Sequence, residues 1–264
     1  MTDLRALIAL LFCCLTGGAA QADIGKLFKM DSLEDGRKWE AVGRLELSGT
    51  AFCTGALIAP DLVLTAAHCL FDSKTGAQIP ADDIQFLAGW RNGRAAAHRR
   101  VRRAVAHSDY DFNAPANPAR VRVDVALIQL QLPIRNTTVV PFATERRPGV
   151  GDEVGVVSYA HDRSEAPSMQ DLCDVINLQD GMLVLSCSVD FGSSGSPVFT
   201  FENGVPKIVS VISAKAEANG EAVSLGTALE APLHDLLREF DSDDVLHPLN
   251  AGVRRDTGAK FIKP

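Results

Sequence analysis

The sequence predicts an all-β protein of two lobes, on three observations. Short apolar runs broken by turn residues fill the chain from about Trp39 to Leu132, the pattern recurs after the Leu132-Pro133-Ile134 connector, and only one late segment has helical spacing. In the first lobe the runs are Ala41 to Leu47, Ala56-Leu57-Ile58, Leu62 to Thr65, Ile84 to Leu87 and Val123 to Leu132. In the second they are Val154 to Val157, Met182 to Leu185, Pro197 to Phe201, Ile208 to Ile212 and Val223 to Leu229. The join falls near residue 135. Leu229, Leu233, Leu236, Leu237 and Phe240 fall on one helical face, with Pro232 tolerable only in the first turn, and this helix would cap one lobe. From Asp241 to Pro264 the chain is polar, has no clear period and carries Arg254, Arg255, Lys260 and Lys263, which reads as a loosely attached tail.

Composition narrows the function classes. The 264 residues are 46% hydrophobic and 22% charged, enough to bury a sizeable core and unlike a disordered chain. A net charge of -7 gives no global electrostatic reason to bind nucleic acid. At the N-terminus Arg5, the apolar stretch Ala6 to Leu15 and the Ala20-Gln21-Ala22 site form a signal-peptide pattern, with Asp23 first after cleavage. A membrane anchor is the competing reading, but the apolar run is shorter than the roughly 20 residues a spanning helix needs. Lipidation at Cys13 or Cys14 would need small residues just before the cysteine, and they are absent. A secreted or periplasmic protein with no membrane span is therefore expected.

Export changes the meaning of the cysteines. Cys13 and Cys14 leave with the signal, so Cys53, Cys69, Cys173 and Cys187 remain, and in an oxidising compartment they suggest two disulfides. Three pairings are open; Cys53 with Cys69 and Cys173 with Cys187 would each close a short loop and brace the two segments that carry chemistry. A zinc site competes and loses, because the sequence has no CxxC motif and the adjacent His68 and Cys69 lack a second ligand pair. No metal and no cofactor are expected.

Three segments stand out: Leu64-Thr65-Ala66-Ala67-His68-Cys69, Asp124-Val125-Ala126-Leu127 and Gly192-Ser193-Ser194-Gly195-Ser196-Pro197. A serine hydroxyl attacks an amide only if a base removes its proton during attack, and a histidine can be that base. A carboxylate on the other ring nitrogen would hold the imidazole in one tautomer. Ser194, His68 and Asp124 are the candidates for these catalytic roles. Glycine beside Ser194 allows a tight turn whose backbone N–H groups, those of Gly192 and Ser194, could bind an oxyanion. Taken singly, each residue has a duller explanation: a structural histidine, a turn aspartate, a Gly/Ser loop. A G-x-S-x-G elbow is excluded, since its fifth position is Ser196 and the following Pro197 to Phe201 reads as strand rather than helix.

With their order His, Asp, Ser, these segments resemble the trypsin/chymotrypsin-like serine peptidases. The likeness extends to Phe52-Cys53-Thr54-Gly55-Ala56-Leu57-Ile58, Ala106-His107-Ser108-Asp109-Tyr110 and Ile212-Ser213, covering roughly residues 40 to 230. It implies two six-stranded antiparallel β-barrels with a C-terminal helix. The expected division is a signal peptide over 1–22, an extension over 23–38, barrels over 39–135 and 136–240, and a tail over 241–264. It also implies a serine endopeptidase acting on a peptide or protein substrate, and a monomer is expected. A catalytically silent binding protein on the same fold is the alternative.

The chain departs from the animal members of that family. Their aspartate just before the nucleophile, which pairs with a new N-terminus after zymogen cleavage, is replaced by Ser193, and no Ile-Val-Gly-Gly start is present. The Ser193 to Pro197 segment is more similar to bacterial relatives, including the glutamyl-endopeptidase branch, and activity on folding and export is expected. The family places the base of the primary pocket six residues before the nucleophile, here the neutral Ser188, which implies an apolar or broad preference. Ser213 and Lys215 are expected in the pocket wall, where Lys215 could favour an acidic side chain or could be a solvated surface lysine. Arg91, Arg94, Arg99, Arg100, Arg102 and Arg103, with His98 beside them, read as alternating exposure on an edge strand; a polyanion contact is the competing reading.

Overall fold

The computed structural model describes residues 27–146 and 148–246; the signal segment, the start of the extension and residues 247–264 of the tail lie outside the described residues. The strands are β1 Phe28–Lys29, β2 Val42–Leu47, β3 Ala51–Ala59, β4 Leu62–Thr65, β5 Ile84–Ala88, β6 Ala97–Ala106, β7 Ala126–Leu130, β8 Glu153–Ser158, β9 Ser168–Gln179, β10 Met182–Leu185, β11 Pro197–Glu202, β12 Val205–Ala218 and β13 Glu221–Ala228. Strands β2-β3-β4-β7-β6-β5 close into one antiparallel barrel. Strands β8-β9-β10-β13-β12-β11 form the second, which closes because β8 pairs with both β9 and β11. The two-residue β1 adds an outer pairing to β9.

Local chemistry sets much of the second barrel. Asp180-Gly181, Asn203-Gly204 and Asn219-Gly220 each have both residues at positive φ. They lie between β9 and β10, β11 and β12, and β12 and β13, where a two-residue turn of this hand matches the strand twist and fixes the register.

One strand was hidden in the sequence and another was given the wrong place. In β9 the buried positions include Ser168 and Gln170 as well as Cys173 and Val175, so no apolar alternation marks it. Strand β6 carries Arg99, Arg100, Arg102 and Arg103, but it is not an edge strand, since β5 pairs with one side of it and β7 with the other; Arg91 and Arg94 lie before it, and Arg91 is buried, donating from Nε to the Met30 carbonyl at 2.8 Å. Barrel closure removes the free edge that the alternation suggested, while its exposed arginines still point outward.

The C-terminal helix, Glu230–Leu246, buries Leu233, Leu236 and Phe240. It starts from the second barrel and docks on the first, where the Arg103 guanidinium lies 3.7 Å from the Phe240 ring centroid and donates to the Phe240 carbonyl at 2.9 Å. One apolar cluster fills the first barrel and extends across the junction to Val157, Phe199 and Val211, while Val154, Val175, Leu183, Leu185 and Val209 form a separate core inside the second barrel. At the junction Phe199 of β11 packs against Trp39 from the segment before β2 and Phe142 from the connector, with ring centroids 5.0 and 4.8 Å apart. Because Phe199 is fully buried at this junction, Phe199→Ala should destabilise the fold by about 3–5 kcal/mol, read by chemical denaturation.

Candidate active site

The two barrels bring the predicted segments together through register. Thr65 ends β4 opposite Ala126, which begins β7, so the chain leaving one strand and the chain entering the other meet at the same barrel end. His68 stands in the 3-10 turn Ala67–Leu70 just after β4, and Asp124 lies two residues before β7. The neighbouring Cys69 is disulfide-bonded to Cys53 of β3, which pins this turn to the barrel wall. Cys53, His68 and Cys69 gather their side-chain atoms closely, but both sulfurs belong to the disulfide and offer no thiolate to a metal.

Asp124 is 3% exposed and accepts three hydrogen bonds. Its Oδ1 takes the His68 backbone N–H at 2.8 Å, and its Oδ2 faces His68 Nδ1 at 2.7 Å and accepts a short bond from the Ser213 hydroxyl. Burial pushes the Asp124 pKa up, but the charge of His68 and the donors from His68 and Ser213 outweigh it and hold the carboxyl below its ordinary range. Burial likewise pushes His68 down, while the Asp124 charge and hydrogen bond raise it further, so its pKa lies above the ordinary 6.5. The pair thus fixes a ring whose Nδ1 points at the carboxylate and whose Nε2 points away from it.

Ser194 comes from the second barrel, on the loop between β10 and β11. This loop is fastened directly to the first barrel. The Thr54 N–H donates to the Ser194 carbonyl at 2.8 Å, and the Thr54 hydroxyl donates to the Gly192 carbonyl at 2.9 Å. Gly195, at φ +77°, lies so close that a Cβ would meet Thr65 Oγ1 at 2.1 Å and the Thr54 carbonyl at 2.3 Å, so only glycine fits there. The same spot lies beside Ala66 N, two residues from His68. Among the described residues no hydrogen bond joins Ser194 Oγ to His68 Nε2; such bonds commonly tighten only when substrate binds.

The backbone around Ser194 sorts its N–H groups. Ser193 N–H donates to Asp190 O, Gly195 N–H to Ile212 O and Ser196 N–H to Ser193 O, whereas Gly192 and Ser194 N–H have no acceptor among the described residues. These are the two donors predicted for an oxyanion. Ser193 is fully buried and its hydroxyl accepts from the Asp190 N–H at 3.4 Å, an internal loop contact.

A pocket of about 320 Å³ opens beside Ser194, lined by Val189, Asp190, Phe191, Ile212, Ser213, Ala214 and Lys215. Ser213 and Lys215 therefore line it. Ser188 is not among its lining residues; Ser188 is exposed and its N–H binds Gln170 Oε1 at 2.8 Å. The second disulfide, Cys173–Cys187, ties β9 to the chain leading into this wall.

Residues 53–205 match the trypsin-like peptidase domain family. The chain belongs to that family. Among similar proteins, human cathepsin G is 32% identical over 150 residues, which cover 54% of this chain and 53% of cathepsin G. Glutamyl endopeptidase of Bacillus licheniformis is 26% identical over 153 residues, 58% of this chain and 46% of that protein. Other relatives are matched over less of their length, as in mouse serine protease 56, 34% identical over 96 residues that are 14% of it. A solved structure of a Glu endopeptidase in complex with MPD superposes with a TM-score of 0.67 at 19% identity, covering 84% of this chain and 98% of that one, which is a likeness of fold.

Within this trypsin-like frame, sequence reasoning singled out neither Thr54 and Thr65 nor Phe191. The two threonines sit inside motifs that were legible, but the bonds of Thr54 to the second barrel and the close approach of Thr65 to Gly195 exist only where the barrels touch. Phe191, 85% exposed at the pocket mouth, had no signal beyond its place three residues before Ser194. A base at His68 would have to be neutral to accept a proton, and since the His68 pKa is raised, activity resting on it should fall with acid along a limb whose midpoint lies above 6.5, read from kcat/KM against pH. Asp124→Asn should lower kcat by about a thousandfold to ten-thousandfold, and Ser213→Ala by less than about tenfold, because two donors to the carboxylate remain.

Proposed function

We propose that this protein is an exported serine endopeptidase in which Ser194, His68 and Asp124 form the catalytic triad. What carries the reading is one arrangement: a buried, ionised Asp124 orienting the His68 ring at the edge of a loop that holds both the Ser194 hydroxyl and two unengaged backbone N–H groups. In the reaction, Ser194 Oγ attacks the scissile carbonyl carbon while its proton passes to His68 Nε2. The carbonyl π pair becomes an oxyanion, which the Gly192 and Ser194 N–H groups bind. Collapse re-forms the carbonyl and breaks the C–N bond, and His68 returns the proton to the leaving amine. Water then adds to the acyl-enzyme with His68 as base, and release of the acid restores Ser194.

The pocket supports an apolar or broad preference at the residue before the cut. Val189, Ile212 and Ala214 supply its wall, Phe191 its mouth, and Asp190 and Lys215 place charges of opposite sign on its lining. Neither glutamyl nor arginyl recognition has a matched buried charge there. Export is supported by the signal pattern and by two disulfides. A silent binding protein is favoured by one observation, the missing contact between Ser194 Oγ and His68. A fluorophosphonate probe separates the two readings: it should label the wild-type chain and not Ser194→Ala, with both folded by circular dichroism. An unlabelled wild type would favour the silent protein.

A further inference from the structure

The two peptide planes flanking Gly192 are each held by their carbonyl. Thr54 holds the one after it, and the His161 N–H, 2.7 Å from the Phe191 carbonyl, holds the one before it. In a trans peptide the C=O and N–H point in opposite directions, so fixing Phe191 O from behind turns Gly192 N–H toward the substrate side. His161 opens a single 3-10 turn, His161–Arg163, between β8 and β9. Its last side chain, Arg163, ties the turn to Ser158 at the end of β8. We propose that Arg163 is a positioning residue that seats this turn against the Asp190–Ser194 loop and so keeps the Gly192 N–H aimed at the oxyanion.

Arg163 has no ordinary reason to be inside the protein. Its side chain is 9% exposed, and its Nε is buried without an acceptor, a costly arrangement for a guanidinium. One terminal nitrogen donates at 3.0 Å to Ser158 Oγ, itself 2% exposed at the end of β8, and the other lies 3.2 Å from Asp162 Oδ1. The Arg163 N–H closes the turn on Ala160 O at 2.9 Å. Asp190 opens the Ser194 loop and turns its Oδ1 back to the Phe191 N–H at 2.9 Å. Burial lowers the Arg163 pKa, and the carboxylates of Asp162 and Asp190 offset this only in part. A cation built into the body of the chain thereby orders a loop that here lacks an aspartate at Ser193, with no cleavage needed.

The kinetic part of this inference rests on the peptidase reading; the loop order does not. Arg163→Gln keeps a hydrogen-bonding amide and removes the charge. It should lower kcat at least about tenfold with KM within about twofold, and weaken a peptidyl trifluoromethyl ketone, which forms a tetrahedral oxyanion, by a similar factor. Arg163→Lys should restore kcat to within about threefold of wild type. Should Arg163→Gln not fold, Ser158→Ala, which removes the seat, should show the same kcat loss at unchanged KM. Hydrogen exchange should quicken at the Ser193 and Ser196 amides in the Gln variant. Wild-type kcat and inhibitor affinity in the variants, or a loss not relieved by lysine, would overturn the proposal. If the wild type neither turns over substrate nor takes the probe, the peptidase reading fails by itself, and unchanged exchange in Arg163→Gln then overturns the loop assignment separately.

Discussion

The seam at Thr54 is the constraint on which the rest of the structure depends. One fully buried threonine of the first barrel accepts the Tyr159 N–H on its hydroxyl at 3.0 Å, donates that hydroxyl to the Gly192 carbonyl and donates its own N–H to the Ser194 carbonyl. Its carbonyl accepts the Thr65 hydroxyl at 2.8 Å, which reaches the strand that leads into the His68 turn. Each polar group is therefore matched across an interface that excludes water, where an unmatched one would cost about 1–3 kcal/mol. The absence of a side chain on Gly195 is what lets the two surfaces come this close.

Around that seam the electrostatics divide by barrel. The first barrel supplies the buried carboxylate and the imidazole, both held by a disulfide-braced turn and a strand end. The second supplies the hydroxyl and the backbone donors, and also sends Ser213 across to Asp124. Neither barrel contains the whole set. The aromatic contacts among Trp39, Phe142 and Phe199, and the helix docked on Arg103, also join the two halves.

The loop that carries Ser194 is ordered by contacts internal to the chain. Ser193 turns its hydroxyl to the Asp190 N–H, His161 holds the Phe191 carbonyl, and Thr54 holds the next one. A small neutral residue at 193 suits this design, because a carboxylate buried there would need a cation of its own.

How much of this could be read beforehand follows from the range of each interaction. The strand runs, the late helix, the cysteine pairs and the His68, Asp124 and Ser194 segments were legible, because periodicity, turn chemistry and nucleophile chemistry act over a few residues. Strand β9 was not, since Ser168 and Gln170 are polar yet buried, and the closure of β6 on both sides depends on partners far along the chain. The sequence by itself determined which residues could serve as base, acid and nucleophile. Only the tertiary structure decided that Ser188 stands off the pocket while Phe191 guards it, that Thr54 joins the barrels, and that the Arg163 side chain is drawn inward onto Ser158. The Thr54 bonds span sequence separations of 105 and 138 residues, and burial of a cation depends on how the surrounding segments pack, which no local pattern encodes.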